Sequence, residues 1–367
     1  MEQWKEYKLG DISNMKYGKL PPKQNNGSYP IWSGYRNVGF ATTYNCRKGT
    51  IIVVARGVGG TGDVKISSED CFLTNLSIAV ELDNKICEPL YFYYKYKLSN
   101  LRYLDTGSAQ SQITIDDLKR LSLKLPPLEE QKRITEILSS IDYKIELNRR
   151  INDNLEQQAQ ALFDHNFDSG SIYLEDSIMG CLTDIAVYLN GLAMQKFPAT
   201  DIERSLPVLK IKELGQRKCD DCSDRCSDSI DADYIIDNED IIFSWSGTLM
   251  VDVWCGGKCG LNQHLFKVTP LKNYPRWFVY YWTNRHLKKF KLIAKDKAVT
   301  MGHIRRGDLE NAEVAIPTNL NMLEINARIN PLFQSIIDRR LEITKLENIR
   351  DALLPKLMSG ELTINEI

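Results

Sequence analysis

The sequence predicts an α+β protein built as an internal repeat. Two similar mixed α/β domains are separated by two long helices that form an antiparallel coiled coil, with pseudo-twofold character. Three observations carry this. Segment 113–118 (ITIDDL) recurs as 304–309 (IRRGDL), and Leu125-Pro126, Leu155 and Leu162 fall on Ile316-Pro317, Leu346 and Leu353, all at an offset of 191. Each copy carries strand-like apolar runs punctuated by turn residues. Each copy then closes on a long heptad pattern.

The first domain covers 1–127. Segments 50–55 (TIIVVA) and 73–82 (LTNLSIAVEL) read as strands, and the tyrosine-rich 88–98 reads as a helix. The second domain covers 169–319, with strands expected at 240–245 (DIIFSW) and 264–268 and a matching aromatic helix at 277–282. Ile51-Ile52 pairs with Ile241-Ile242, and Leu9-x-Asp11-Ile12 pairs with Leu182-x-Asp184-Ile185 at a smaller offset. Mixed strands and helices make α+β the expected class. The aromatics of 91–96 and 280–282 recur at helical spacing and are expected in the core.

A central spacer helix is expected at 128–168 and a C-terminal one at 320–360. The first seam runs Ile134, Leu138, Ile141, Ile145, Asn148, Asn152, Leu155, Ala159 and Leu162; the second runs Ile325, Ile329, Leu332, Ile336, Arg339, Ile343, Leu346, Arg350 and Leu353. The steps alternate four and three, and both seams break on a polar residue at the same place, Asn148 and Arg339, which costs stability and fixes register. Glu129 and Glu130 suit the first helix's N-terminus, and Asn321-x-x-Glu324 reads as a capping box opening the second. Gly170 and Gly360 suit left-handed helix ends, and Pro355 is expected to kink or end the second helix early. The tail 361–367 corresponds to the stretch entering the second domain and is expected to pack toward the first. About 30 helical residues make a rod of roughly 45 Å.

Composition narrows the class. A chain of 367 residues, 43% hydrophobic, can bury two cores. There is no run of 18 apolar residues, the first six residues contain no signal-peptide core, and nine cysteines fit no disulfide framework. A reduced, cytoplasmic protein is expected. The net charge of −1 is unevenly spread: 286–306 is locally basic and 217–240 locally acidic. A neutral chain of this kind can still hold a basic face that attracts phosphate.

Two copies of one unit present two similar surfaces, and duplex DNA is a partner with two similar sites. Modules reading one face of a duplex sit about 34–36 Å apart, a spacing such a rod can set. An oligomerising coiled coil is the plainer reading of the helices alone.

Several motifs depart from the chemistry that they superficially match. Gly57-x-Gly59-x-x-Gly62 matches a dinucleotide fingerprint, but 63–66 (DVKI) reads as a strand where that site needs a helix, so a glycine-rich hairpin is expected. Cys219, Cys222, Cys226, Cys255 and Cys259 have the residue type for zinc but depart from paired knuckle spacing. Segment 330–333 (NPLF) superficially resembles an adenine-methyltransferase loop yet sits on the heptad helix. The four histidines, His165, His264, His286 and His303, show no metal spacing.

Other segments carry a family likeness: 106–113 (TGSAQSQI), 125–134 (LPPLEEQKRI), 206–214 (LPVLKIKEL), 242–247 (IFSWSG), 259–266 (CGLNQHLF) and 353–362 (LLPKLMSGEL). With their order, they resemble the specificity (S) subunit of type I restriction–modification systems across essentially the whole chain. The resemblance implies two target recognition domains, each reading one half of a split, asymmetric DNA sequence. It implies helices that set the gap and dock two methyltransferase (M) subunits, which bind S-adenosylmethionine and methylate adenine at N6. In complexes that cleave DNA, a restriction (R) subunit using ATP and Mg joins. No catalytic residue and no metal are implied in this chain.

The residues expected to touch double-stranded DNA are Arg36, Arg56, Lys65, Ser108, Gln110 and Gln112 in the first domain. In the second they are Lys212, Trp245, Lys297, Thr300, His303 and Arg305. Arg56 and Lys65 flank the glycine-rich hairpin, and Gln112 and His303 fall on equivalent loops. Glutamine suits adenine and arginine suits guanine. The competing readings are a coiled-coil adaptor without DNA contact and part of a fused restriction–methylation enzyme.

Overall fold

The computed structural model describes residues 4–21, 26–34, 36–57, 60–97, 99–105, 111–271, 273–296 and 304–363. The chain divides into two units, Met1–Tyr143 with Glu347–Ile367, and Lys144–Leu346.

The first unit contains β1 (Lys5–Lys8), β2 (Ser13–Tyr17), β3 (Tyr29–Ser33), β4 (Arg36–Ala41), β5 (Ile51–Val54), β6 (Val64–Ile66), β7 (Phe72–Leu73), β8 (Ser77–Leu82), α1 (Pro89–Lys97), α2 (Ile115–Lys119), β9 (Ser122–Leu125) and the start of α3 (Leu128–Phe167). Its main sheet is antiparallel in the order β2-β8-β5-β6. β3 pairs antiparallel with β4 and parallel with β7. β5 is apolar throughout because both faces are covered. Ile51 and Val53 join the core under Tyr91 and Phe92, while Ile52 faces Cys46, Cys71 and Leu73.

The second unit contains α4 (Ile172–Glu175), β10 (Ile178–Cys181), α5 (Leu182–Ile185), β11 (Ala186–Asn190), β12 (Ser205–Leu209), α6 (Ile211–Gln216), β13 (Arg225–Ser227), β14 (Ile235–Ile236), β15 (Ile241–Ser244), β16 (Met250–Val253), β17 (Cys259–Leu261), β18 (Leu265–Pro270), α7 (Arg276–Asp296), α8 (Arg306–Glu310), β19 (Glu313–Ile316) and most of α9 (Asn319–Ser359). Its main sheet, β11-β18-β15-β16, repeats the order of the first. β12 likewise pairs antiparallel with β13 and parallel with β17. Phe163, Phe167, Trp277, Phe278, Tyr281 and Trp282 form its aromatic core.

The repeat extends to single backbone bonds. The Leu9 N–H donates to the Leu121 carbonyl at 2.9 Å, and that of Leu182 to Ala312 at 3.1 Å. The Gly18 N–H meets the Ser77 carbonyl and the Gly191 N–H the Leu265 carbonyl, both at 3.0 Å. β1 pairs with β9 as β10 pairs with β19.

Within each unit α3 and α9 pack antiparallel, since rising positions on one meet falling positions on the other. In the first unit Ile134 and Leu138 share a core with Leu354, Leu357 and Met358, and Arg350 donates to Asp142 at 2.8 Å. In the second, Asn148 donates to Glu342 at 2.8 Å, and Ala159, Phe163 and Phe167 pack with Met322, Ile325, Ile329 and Phe333. The helices are therefore part of each unit's core.

The heptad reading needs three corrections. First, the buried stripe drifts. Ile134, Leu138, Ile145, Asn148, Ile325, Ile329 and Ile336 are buried, but Ile141, Leu155, Leu162, Leu332, Arg339, Ile343, Leu346 and Leu353 are half-buried, and Phe163, Phe333, Ile337 and Leu354 lie deeper. A helix with 3.6 residues per turn rotates about 20° per heptad against a 3.5 repeat. The buried arginine is consequently Arg340, not Arg339. Second, α9 opens at Asn319, where the Thr318 hydroxyl accepts the Asn321 N–H at 3.4 Å, and Glu324 instead pairs with Arg328. Third, α9 continues through Pro355 to Ser359, held by buried Leu354, Leu357 and Met358. With 40 and 41 residues, the helices are roughly 60 Å long rather than 45. Gly170 and Gly360 take positive φ, +90° and +77°. Leu362 packs on the first unit's core together with Tyr7. No helix among the described residues is long and apolar enough to cross a membrane.

Candidate nucleic-acid interface

A common backbone frame holds the candidate residues of each unit. In the first, the chain leaves β5 at Ala55, whose carbonyl accepts the Ile113 N–H at 2.9 Å, and Arg56 bridges Gln112. Asp105 accepts the Gln112 N–H at 2.8 Å and the Ser111 hydroxyl, and Thr114 and Asp117 form a reciprocal cap on α2. Gln112 therefore sits on a doubly anchored strut rather than a free turn.

The turn between β3 and β4 approaches this strut. Gly34, at φ +59°, turns β3 into β4 at the Ser33–Arg36 pair, and its position faces the Arg56 carbonyl. The Lys65 ammonium, on β6, stands 5.8 Å from the centroid of the Trp32 ring on β3. Burial pushes it below the ordinary lysine value. Arg36 and Arg56 are exposed, and Lys65 and Gln112 half-exposed. The Gly34 turn thus brings the β3–β4 hairpin, which carries Arg36, toward Arg56 and Gln112, while Lys65 lies further along β5, opposite Ile52 and beside Trp32. Ser108 and Gln110 lie outside the described residues.

In the second unit Trp245 stands where Ala55 stands in the first. Its carbonyl accepts the Ile304 N–H at 3.0 Å. Its indole N–H donates to Asn190 Oδ1 at 2.8 Å, and its ring lies 5.7 Å from Phe266 and 6.0 Å from His264. Arg305 is exposed at the start of α8, its N–H on Asp308 at 2.8 Å. Lys212, exposed on α6, neighbours Ile211, which lies against Gly247 just past Trp245. Lys297, Thr300 and His303 lie outside the described residues. A cleft of about 700 Å³ opens between β11, Trp245, Phe266 and α8. The sequence reading missed Asn190 and Arg306 in its wall, although the Leu9/Leu182 offset aligns Asn190 with Tyr17.

The charge runs differ in character. Lys288, Lys289, Lys291 and Lys295 are exposed along α7. The acidic run is partly neutralised within its own unit: Asp224 pairs with Lys210, Glu239 with Arg276, and Asp240 with Lys267 at 3.2 Å.

The remaining motifs resolve as structure. The glycine-rich segment joins β5 to β6, so a strand follows it. Cys226, Cys255 and Cys259 are buried in apolar surroundings, and among the described residues no group of three or more His, Cys, Asp or Glu side chains could hold a metal. Segment 330–333 lies inside α9, with Phe333 in the core.

Known proteins match this arrangement. A family model for the type I restriction modification DNA specificity domain matches residues 1–157 and 179–350. The MjaIX type I restriction enzyme specificity subunit of Methanocaldococcus jannaschii is 27% identical, over 99% of this chain and 89% of its own length. The HindI specificity subunit of Haemophilus influenzae is 23% identical, over 68% of this chain and 71% of its own. A crystal structure of a type I restriction–modification S subunit from M. genitalium superposes with a TM-score of 0.65 at 18% identity, covering 96% of each chain, so the fold is shared.

Proposed function

The chain belongs to the type I restriction modification DNA specificity family, and from that premise we propose that it is the sequence-reading subunit of a restriction–modification complex. Each unit reads one half of a split, asymmetric target. The α3–α9 pair sets the gap between the halves and docks two adenine-N6 methyltransferase (M) subunits. S-adenosylmethionine belongs to those M subunits, ATP and Mg to an R subunit where one joins. The chain directs chemistry performed by its partners and works in the cytoplasm.

The observation that carries this reading is one frame with two sets of side chains. The bond from Ile113 to Ala55 and that from Ile304 to Trp245 hold equivalent struts, yet Trp245 stands where the first unit has Ala55, and Arg305 where it has Thr114. Two similar platforms with unlike tips suit two unlike half-sites. Arg36, Arg56, Lys65, Ser108, Gln110, Gln112, Lys212, Trp245, Lys297, Thr300, His303 and Arg305 are the proposed DNA contacts. Phosphate contacts supply most of the affinity and base-edge contacts the selectivity.

The test is methylome sequencing of cells with and without the gene. A two-part motif carrying N6-methyladenine should vanish on deletion. An unchanged methylome, with no sequence preference of the purified complex for duplexes, would refute the proposal.

A further inference from the structure

The last residue of β2 is Tyr17 and the last residue of β11 is Asn190, each directly before the glycine whose N–H bonds the adjacent strand. They hold one register position, since Tyr17 pairs with Ile78 and Asn190 with Phe266 on the equivalent neighbouring strands. In the first unit the Tyr17 phenol reaches across to α2, its hydroxyl accepting the Ile115 N–H at 3.2 Å. In the second unit the residue equivalent to Ile115 is Arg306, and the short Asn190 does not span that gap. Asn190 turns instead to the Trp245 indole at 2.8 Å. The exchange of tyrosine for asparagine and of Ala55 for Trp245 leaves the cleft of about 700 Å³ with an indole in its wall.

The lining has a definite chemistry. Trp245, Phe266 and Tyr188 give it aromatic walls, and Arg305 and Arg306 supply two cations. No described lining residue is acidic; Glu310 meets Arg306 from the next turn at 3.5 Å. Aromatic faces stack on any base, and guanidinium groups take phosphate. A paired base inside a duplex cannot enter such a recess, because its faces are already stacked.

Resting on the DNA-reading function above, we infer that this cleft takes one unstacked nucleotide, its base against Trp245 and its phosphate at Arg305 and Arg306. The second unit then reads one position by accepting an extruded base, while Tyr17 closes the equivalent path in the first.

The experiment uses the full chain and three probes: a random-sequence paired duplex pool, the same pool with one bulged adenosine, and AMP. The readout is the ratio of bulged to paired affinity by fluorescence anisotropy. Wild type should prefer the bulged pool about 5- to 150-fold, the fold-change of a base–aromatic stack worth roughly 1–3 kcal/mol. Asn190→Tyr, which installs the first unit's own residue, should bring the ratio to unity. Val187→Trp, filling the cleft from an exposed strand position, should do the same, with thermal melts checking that both variants fold. Equal binding of the two pools by wild type, or a ratio that survives in both filled variants, overturns an occupant extruded from DNA. Saturable AMP binding that both variants abolish, without bulge preference, would identify a free nucleotide as the occupant. Failure of wild type to bind either pool counts against the DNA reading itself, and the AMP arm then decides the cleft alone.

Discussion

Arg340 Nη1 lies 2.6 Å from Asp252 Oδ1, with side-chain exposures of only 9% and 10%. Glu156 meets the other guanidinium nitrogen at 2.7 Å, and Arg217 meets the far Asp252 oxygen at 2.7 Å. Burial alone would lower the arginine pKa, but Asp252 and Glu156 outweigh it and hold it above its ordinary value. Removing Arg340 leaves the buried Asp252 with only the exposed Arg217 as counter-charge. Arg340→Met should destabilise the second unit by about 3–5 kcal/mol, while Arg340→Met combined with Asp252→Asn and Glu156→Gln should cost clearly less. Denaturant midpoints check this; a single variant no weaker than the triple would show that the network is not a coupled unit.

Asn148 is fully buried between α3 and α9 and donates to Glu342, which Lys144 also approaches at 3.5 Å. Its side-chain carbonyl has no hydrogen-bond partner among the described residues. Such a group fixes register and costs stability. Asn148→Leu should therefore raise the melting temperature or leave it unchanged. Disulfide trapping of cysteine pairs placed along α3 and α9 should then show more than one register. A lower melting temperature with a single register would contradict the assigned role.

The sequence exposed the repeat because local chemistry was retained in step: Leu9 and Leu182, Thr114–Asp117 and Arg305–Asp308 perform the same backbone tasks in both units. Ile51–Val54 was legible as a strand from its unbroken apolar run. The deeper seam positions were not legible, since a heptad template cannot see where a straight helix rotates off a 3.5 repeat, so Arg340 was hidden behind Arg339. Pro355 misled because its local cost is overridden by the buried Leu354, Leu357 and Met358. The cleft beside Trp245 depends on a small residue facing a large one from another strand, and nothing local to Asn190 signals that.

Acid should loosen the first unit through Asp142. Burial alone would raise its pKa, but the hydrogen bonds from Lys97 and Arg350, both at 2.8 Å, together outweigh it and hold the carboxyl below its ordinary value. A depressed carboxyl pKa contributes stability above the unfolded-state value, near 3.9, and that contribution disappears as pH falls through the folded-state value. The stabilisation is thus complete at neutral pH and is lost progressively as pH falls below about 4. Melts between pH 7 and pH 3 should show a smaller acid-induced drop for Asp142→Asn than for wild type, from a lower starting point. Equal drops would assign acid sensitivity elsewhere.

The two halves of a target should relax independently. Arg56 and Gln112 share a backbone bridge in the first unit, and Trp245 and Arg305 border one cleft in the second. Arg56→Ala should cost about 1–3 kcal/mol of discrimination if the guanidinium reads a guanine edge. Were it bound only to phosphate, affinity would fall evenly across sequences and the salt dependence would flatten by about one charge. Sequencing the duplexes selected from a random pool by the purified complex separates these outcomes. Arg56→Ala should blur positions in one half-site and leave the other intact, and Arg305→Ala should blur only the opposite half. Blurring of both halves by either variant would mean that the units do not read separately, and the division of labour proposed for them would fall.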